Sequence, residues 1–129
     1  MGTYYLLPGE GTFYKANLHC HTVLSDGKLT PEQMRDEYKK RGYSIIAFTD
    51  HNRYEWHREL DQEDFLSLAA MEINIDQFPV YEGAWPVEKV YHINFYDRHP
   101  ESRKPEEIPA LPERRYEDME YINGYIAGP

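Results

Sequence analysis

Ser44-Ile45-Ile46-Ala47-Phe48-Thr49-Asp50-His51 opens as an apolar run and closes on three polar residues. The run Ser44–Thr49 has the length of a strand and does not alternate, the pattern of a parallel strand buried on both faces. Just upstream, Thr30-Pro31-Glu32-Gln33 is a helix start. Thr30 can cap, Pro31 suits the first helical position, and Gln33 can reach back to close a capping box. Met34, Tyr38 and Arg41 follow at helical spacing, and Gly42 is a natural stop, so a helix is expected over Thr30–Arg41. Before it, Phe13–Leu18 reads as another strand, followed by a turn at Ser25-Asp26-Gly27. Strand, helix, strand in this order predicts a parallel α/β arrangement.

Downstream, Asn52–Asp64 is charged and reads as a surface connection that includes Trp56 and His57. Phe65–Ile73 reads as a third parallel strand, although Leu68-Ala69-Ala70-Met71-Glu72 suits a helix equally well. Asp76–Pro86 is punctuated by Pro and Gly and reads as a loop. Val87–Tyr96 alternates in part and reads as a fourth strand. His99–Arg114 is a proline-rich connection, and Tyr116–Ala127 carries Met119, Ile122 and Ile126 at helical spacing. The 129 residues are read as a single domain with a modest core.

The net charge of −9 disfavours bulk nucleic acid as a partner, because the chain and a phosphate backbone repel each other. It leaves room for a small phosphorylated substrate, since bound divalent cations reverse the local field. Cys20 is the one cysteine, so no internal disulfide forms. With no membrane-length apolar run and no signal peptide in the N-terminal stretch, the expectation is a cytoplasmic protein without membrane partners.

The polar residues carry the chemistry. His19-Cys20-His21 follows the first strand, and in an extended segment His19 and His21 face the same side. Asp26 lies in the turn beyond, Asp50-His51 closes the second strand, Glu72 closes the third, and His92 lies within the fourth. Singly, each has an ordinary reading: surface histidines, a turn-forming Asp26, a helix cap at Thr49-Asp50, a strand-edge Glu72, a core His92. Together they point to a metal site, because all but His92 fall at or beyond the C-terminal end of an expected strand. Parallel-sheet enzymes gather their sites there. Imidazole nitrogen and carboxylate oxygen suit zinc, manganese or iron, and a carboxylate such as Glu72 can bridge two ions. His57 and His99 are expected not to be ligands.

Ala16-Asn17-Leu18-His19-Cys20-His21-Thr22-Val23-Leu24-Ser25-Asp26-Gly27 resembles the first motif of the PHP (polymerase and histidinol phosphatase) family, and Ile46-Ala47-Phe48-Thr49-Asp50-His51-Asn52 resembles its second. Met71-Glu72-Ile73 and Val90-Tyr91-His92-Ile93 are similar to its later ligand-bearing segments. The resemblance covers about residues 13 to 97. It implies a distorted (β/α) barrel of parallel strands and a hydrolase that cleaves phosphate esters by a metal-bound hydroxide. It also implies up to three divalent cations: one on His19, His21 and Glu72, one on Glu72 and His92, and one on Asp26 and His51. Two departures stand out. Asn17 replaces a usual Asp, which implies a changed ligand orientation. The family's later His or Cys, and its closing Asp-x-His, have no counterpart after His99. The chain thus resembles a PHP domain cut off after about half its strands. The expectation is weak or absent activity, either an enzyme or a non-catalytic metal-binding scaffold, and homo-oligomerisation through an exposed sheet edge.

Overall fold

The computed structural model describes residues 9–77 and 89–108; the expected helix over Tyr116–Ala127 and much of the loop after Asp76 lie outside these. The fold is mixed α/β. Strand β1 (Ala16–Asn17), helix α1 (Pro31–Lys39), strand β2 (Ile45–Ala47) and strand β3 (Leu66–Leu68) come first. They make a three-stranded parallel sheet of order β1-β2-β3. Strands β4 (Ala70–Gln77) and β5 (Lys89–Tyr96) then pair antiparallel.

Helix α1 starts as its sequence dictates. Thr30 Oγ1 accepts from the Gln33 N–H, and Gln33 reciprocates on the Thr30 N–H. It ends at Lys39, and Gly42 just beyond it has a φ of 78°, the left-handed conformation that turns the chain away from a helix. The Gly42 and Tyr43 N–H groups close back on the Lys39 and Tyr38 carbonyls at 2.9 and 3.1 Å. Met34 and Tyr38 pack against a core of Cys20, Ile46, Phe48, Leu60 and Phe65. Arg41 does not join them; it pairs with Glu37 on the helix surface.

The expected third strand is in fact two, divided at Ala69. Leu66 to Leu68 pair with β2, and the partners differ by 21 positions. The same offset returns further on, where His51 lies beside Glu72 in a parallel bridge. The register therefore runs on across the break and carries β4 alongside the end of β2. Between the two, the Glu55 backbone folds back to bond both sides of Ala70. That detour occupies the edge of the third strand and explains the interruption. Strand β5 then runs antiparallel to β4, so the parallel arrangement expected of the first three strands holds for β1, β2 and β3 and does not extend to the hairpin.

The β4–β5 hairpin has two chemically different faces. Met71, Ile73 and Ile75 are buried with Tyr54, Tyr91, Ile93, Phe95 and Ile108. Glu72, Asn74, His92 and Asn94 share the opposite face, by the alternation of strand side chains.

His57 is not a surface residue as its charged surroundings suggest. It is buried, with its ring edge-on to Phe48 at 4.9 Å between centroids. The sequence misleads here because the short 3-10 turn Arg58–Leu60 folds the segment inward on Leu60.

Asp97 closes the hairpin. Its carboxylate accepts two bonds from Arg103 at 2.6 and 2.7 Å and one from the Tyr54 hydroxyl at 2.9 Å. Arg103 holds this carboxyl well below the usual range, while burial works against it and the His99 N–H and Tyr54 hydroxyl add to the lowering. A depressed folded-state value contributes stability above the unfolded value of about 4, and that contribution is lost as pH falls below it. Denaturant titrations between neutral pH and pH 3 are therefore expected to show an acid decline that Asp97→Asn flattens. An unchanged decline in that variant would contradict the assignment.

Candidate metal centre

The backbone sets the site before any side chain does. The β1–β2 pairing carries on past both strands, with the Thr49 N–H bonded to the Cys20 carbonyl at 2.8 Å. The Cys20 N–H in turn donates to Thr49 Oγ1. This fixes His19 and His21 on either side of Cys20, which turns into the core. Burial first, and Asp50 second, push the Cys20 thiol up to about 12, so it stays a neutral thiol. Glu72 is anchored at both backbone groups: its N–H donates to the Asp50 carbonyl and its carbonyl accepts from the Asn52 N–H, at 3.2 and 2.6 Å. Asn52 has a φ of 54°, a conformation that Asn tolerates better than most residues, and its Oδ1 accepts from the Asn74 N–H.

Asp50 is fully buried and caps no helix. It accepts the Thr22 N–H at 2.7 Å, the Thr22 hydroxyl at 2.8 Å and the Ser25 hydroxyl at 2.6 Å. Those bonds hold the turn that carries Asp26. The Thr22 carbonyl also receives the Ser25 and Gly27 N–H groups. Gly27 is required at this turn, since a Cβ there would stand 2.3 Å from the His21 carbonyl oxygen.

Six side chains converge on this frame. His19 and His21 have their Nε2 atoms 2.8 Å apart, and these lie 3.1 Å from Oε1 and Oε2 of Glu72 respectively. His51 Nδ1 is 3.0 Å from Glu72 Oε2, and His92 Nδ1 is 3.4 Å from Oε1. Asp26 lies 3.0 Å from His21 Nδ1 and 3.5 Å from His51 Nε2. Partial desolvation raises the Asp26 carboxyl, but the His51 and His21 rings outweigh it and hold the group below its ordinary value.

Glu72 is 1% exposed, and neither of its carboxylate oxygens has a hydrogen bond. The surrounding imidazole nitrogens are near but out of hydrogen-bond alignment. A buried carboxylate without a counter-charge is costly, so this arrangement fits a cation. The spacing fits as well: donors about 2.1 Å from a tetrahedrally held ion stand about 3.4 Å from each other. Donor atoms of His19, His21 and Glu72 lie within 4.8 Å of one another, as do those of His21, Asp26 and His51, and of His51, Glu72 and His92. The structure thus adds His51 to the pair Glu72 and His92, and His21 to the pair Asp26 and His51. The sequence hides both additions, because the sheet alone brings His21 to His51, with ring centroids 4.3 Å apart, and His51 level with Glu72. His57 and His99 are in none of these clusters.

Residues 17–103 match the PHP domain family. The chain belongs to that family. PHP domains are metal-dependent phosphoesterases that use divalent cations. Over 40 residues the chain is 40% identical to the DNA polymerase/3'-5' exonuclease PolX of Bacillus subtilis (strain 168), a segment that covers 31% of this chain and 7% of that protein. No solved structure gives a significant match. Among the described residues of this PHP domain, no helix is long and apolar enough to cross a membrane.

Asp50→Ala is expected to free two buried donors on Thr22 and a half-buried one on Ser25, and cost on the order of 3 kcal/mol of stability. Chemical denaturation checks this; a loss below about 0.5 kcal/mol would show that the turn around Asp26 holds without Asp50.

Proposed function

We propose that this PHP domain is a metal-dependent phosphoesterase in which His19, His21, Asp26, His51, Glu72 and His92 hold up to three divalent cations. The observation that carries the reading is the Glu72 carboxylate, buried without a hydrogen bond at the centre of four imidazoles. Zinc, manganese and iron all suit this donor set. Bound there, a divalent cation supplies the Lewis acidity that phosphate-ester hydrolysis needs. The chain's own residues keep the carboxylates and imidazoles in place, with Glu72 buried. The parallel sheet β1-β2-β3 is compatible with the opening arc of the distorted barrel.

The substrate class is a small phosphorylated molecule. With a net charge of −9, a long polyanion is repelled everywhere except at the cations. Turnover by this chain is slow on this account. A neutral imidazole offers one lone pair and a carboxylate two oxygens. Four histidines and two acids shared among three ions give fewer than three protein donors apiece on average. That shortage also favours the second reading, a non-catalytic metal-binding scaffold. The β1 edge, beside a Phe13 that is 91% exposed, is where a second copy would pair in a homo-oligomer, which light scattering measures.

Elemental analysis of the purified chain is expected to find two or three ions, and p-nitrophenyl phosphate with added manganese or zinc to be turned over slowly. His19→Ala with His21→Ala should remove at least the ion on His19, His21 and Glu72, and the turnover, while leaving the circular dichroism unchanged. Bound metal without any turnover would favour the scaffold; full metal content in the double variant would contradict the ligand assignment.

A further inference from the structure

The hairpin face beside His92 carries two groups that the ligand set leaves unused. Register places Asn94 directly across from Glu72, and Asn74 directly across from His92. The Glu72 backbone and the Asn74 N–H bond toward residues 50–52, on the side away from β5. Both cross-strand pairs are therefore of the non-hydrogen-bonded kind, in which facing side chains stand closest. The four side chains occupy the corners of one small rectangle. Along one diagonal, Glu72 and His92 meet at 3.4 Å. Along the other lie the two carboxamides, and Oδ1 of each is buried with no hydrogen-bond partner.

A buried carbonyl oxygen without a donor costs about 1–3 kcal/mol, and two of them on one face with a buried carboxylate are best met by a positive partner. Among the described residues no donor, the asparagines' own amide groups included, reaches either oxygen. Glu72 is an acceptor, and the His92 Nδ1 stands 3.4 Å from it. A divalent cation satisfies both oxygens at once. Resting on the metal-centre reading above, we propose that Asn74 and Asn94 belong to that centre, with their carboxamide oxygens turned toward the cation held by His51, Glu72 and His92. Neutral oxygen donors added to imidazole and carboxylate shift a site from the zinc end of the range toward the harder ions, manganese above all. The two asparagines are then what sets the metal preference at this position.

The test is titration of Mn2+ and of Zn2+ into the metal-free chain, followed by calorimetry and, for Mn2+, by the electron paramagnetic resonance signal of the free ion. Wild type, Asn74→Leu with Asn94→Leu, Asn94→Asp, and Glu72→Gln are compared, each checked by circular dichroism. The Leu pair is expected to weaken Mn2+ binding by about tenfold or more, and Zn2+ binding by much less. Asn94→Asp, which keeps an oxygen in place, should retain or tighten Mn2+ binding. Equal losses for the two metals, or none, would overturn the proposal while leaving the metal centre intact. Wild type that binds neither ion, indistinguishable from Glu72→Gln, would overturn both. If the Leu pair proves unfolded, Asn94→Ser and Asn74→Ser carry the same Mn2+-against-Zn2+ comparison, with the same two outcomes.

Discussion

The buried carboxylate of Glu72 is the constraint around which the rest of this structure is arranged. Taking an ionised carboxylate out of water is expensive unless it is paired and hydrogen-bonded. Here it has no hydrogen bond, and its neighbours are imidazoles whose charge depends on protonation. The fold nonetheless fixes it firmly, through its own backbone bonds to Asp50 and Asn52 on one side and the pairing of its neighbours Met71 and Ile73 with β5 on the other. A protein that holds a charge this rigidly in an unfavourable place has stability to gain from any cation that enters.

The parallel register delivers the ligands. One offset along β1 and β2 brings the His19-Cys20-His21 segment level with Thr49, and another along β2, β3 and β4 brings His51 level with Glu72. Asp50 then uses its carboxylate to hold the turn of Asp26 rather than to bind anything itself. Neighbouring residues in one short motif thus divide the labour. Thr49 locks the strand pair, Asp50 locks the turn, and His51 faces the centre.

Much of this was legible in the sequence because it rests on short-range patterns. The capping box at Thr30 and Gln33, the stop at Gly42 and the apolar run before Thr49 each state a local preference that the fold obeys. The six polar residues could be named for the same reason, since each lies at or near a strand that its own neighbours define. What could not be read depends on pairing. Val90, His92, Asn94 and Tyr96 alternate with apolar residues, which predicts a strand but not its direction, so the antiparallel return of β5 was missed. The break at Ala69 comes from the backbone of Glu55, to which nothing in Leu68-Ala69-Ala70 points. His57 is buried by a turn that its charged neighbours disguise.

The most direct test of the central claim is thermal and chemical unfolding of wild type and Glu72→Gln, each with and without Mn2+. A ligand at a hundred times its dissociation constant stabilises the folded state by about 2.7 kcal/mol. Without metal, Glu72→Gln should be at least as stable as wild type, because it removes a buried charge. With metal, wild type should gain by that amount and overtake the variant, which should gain little. Wild type that gains nothing from Mn2+, or a variant that gains as much, would contradict the account.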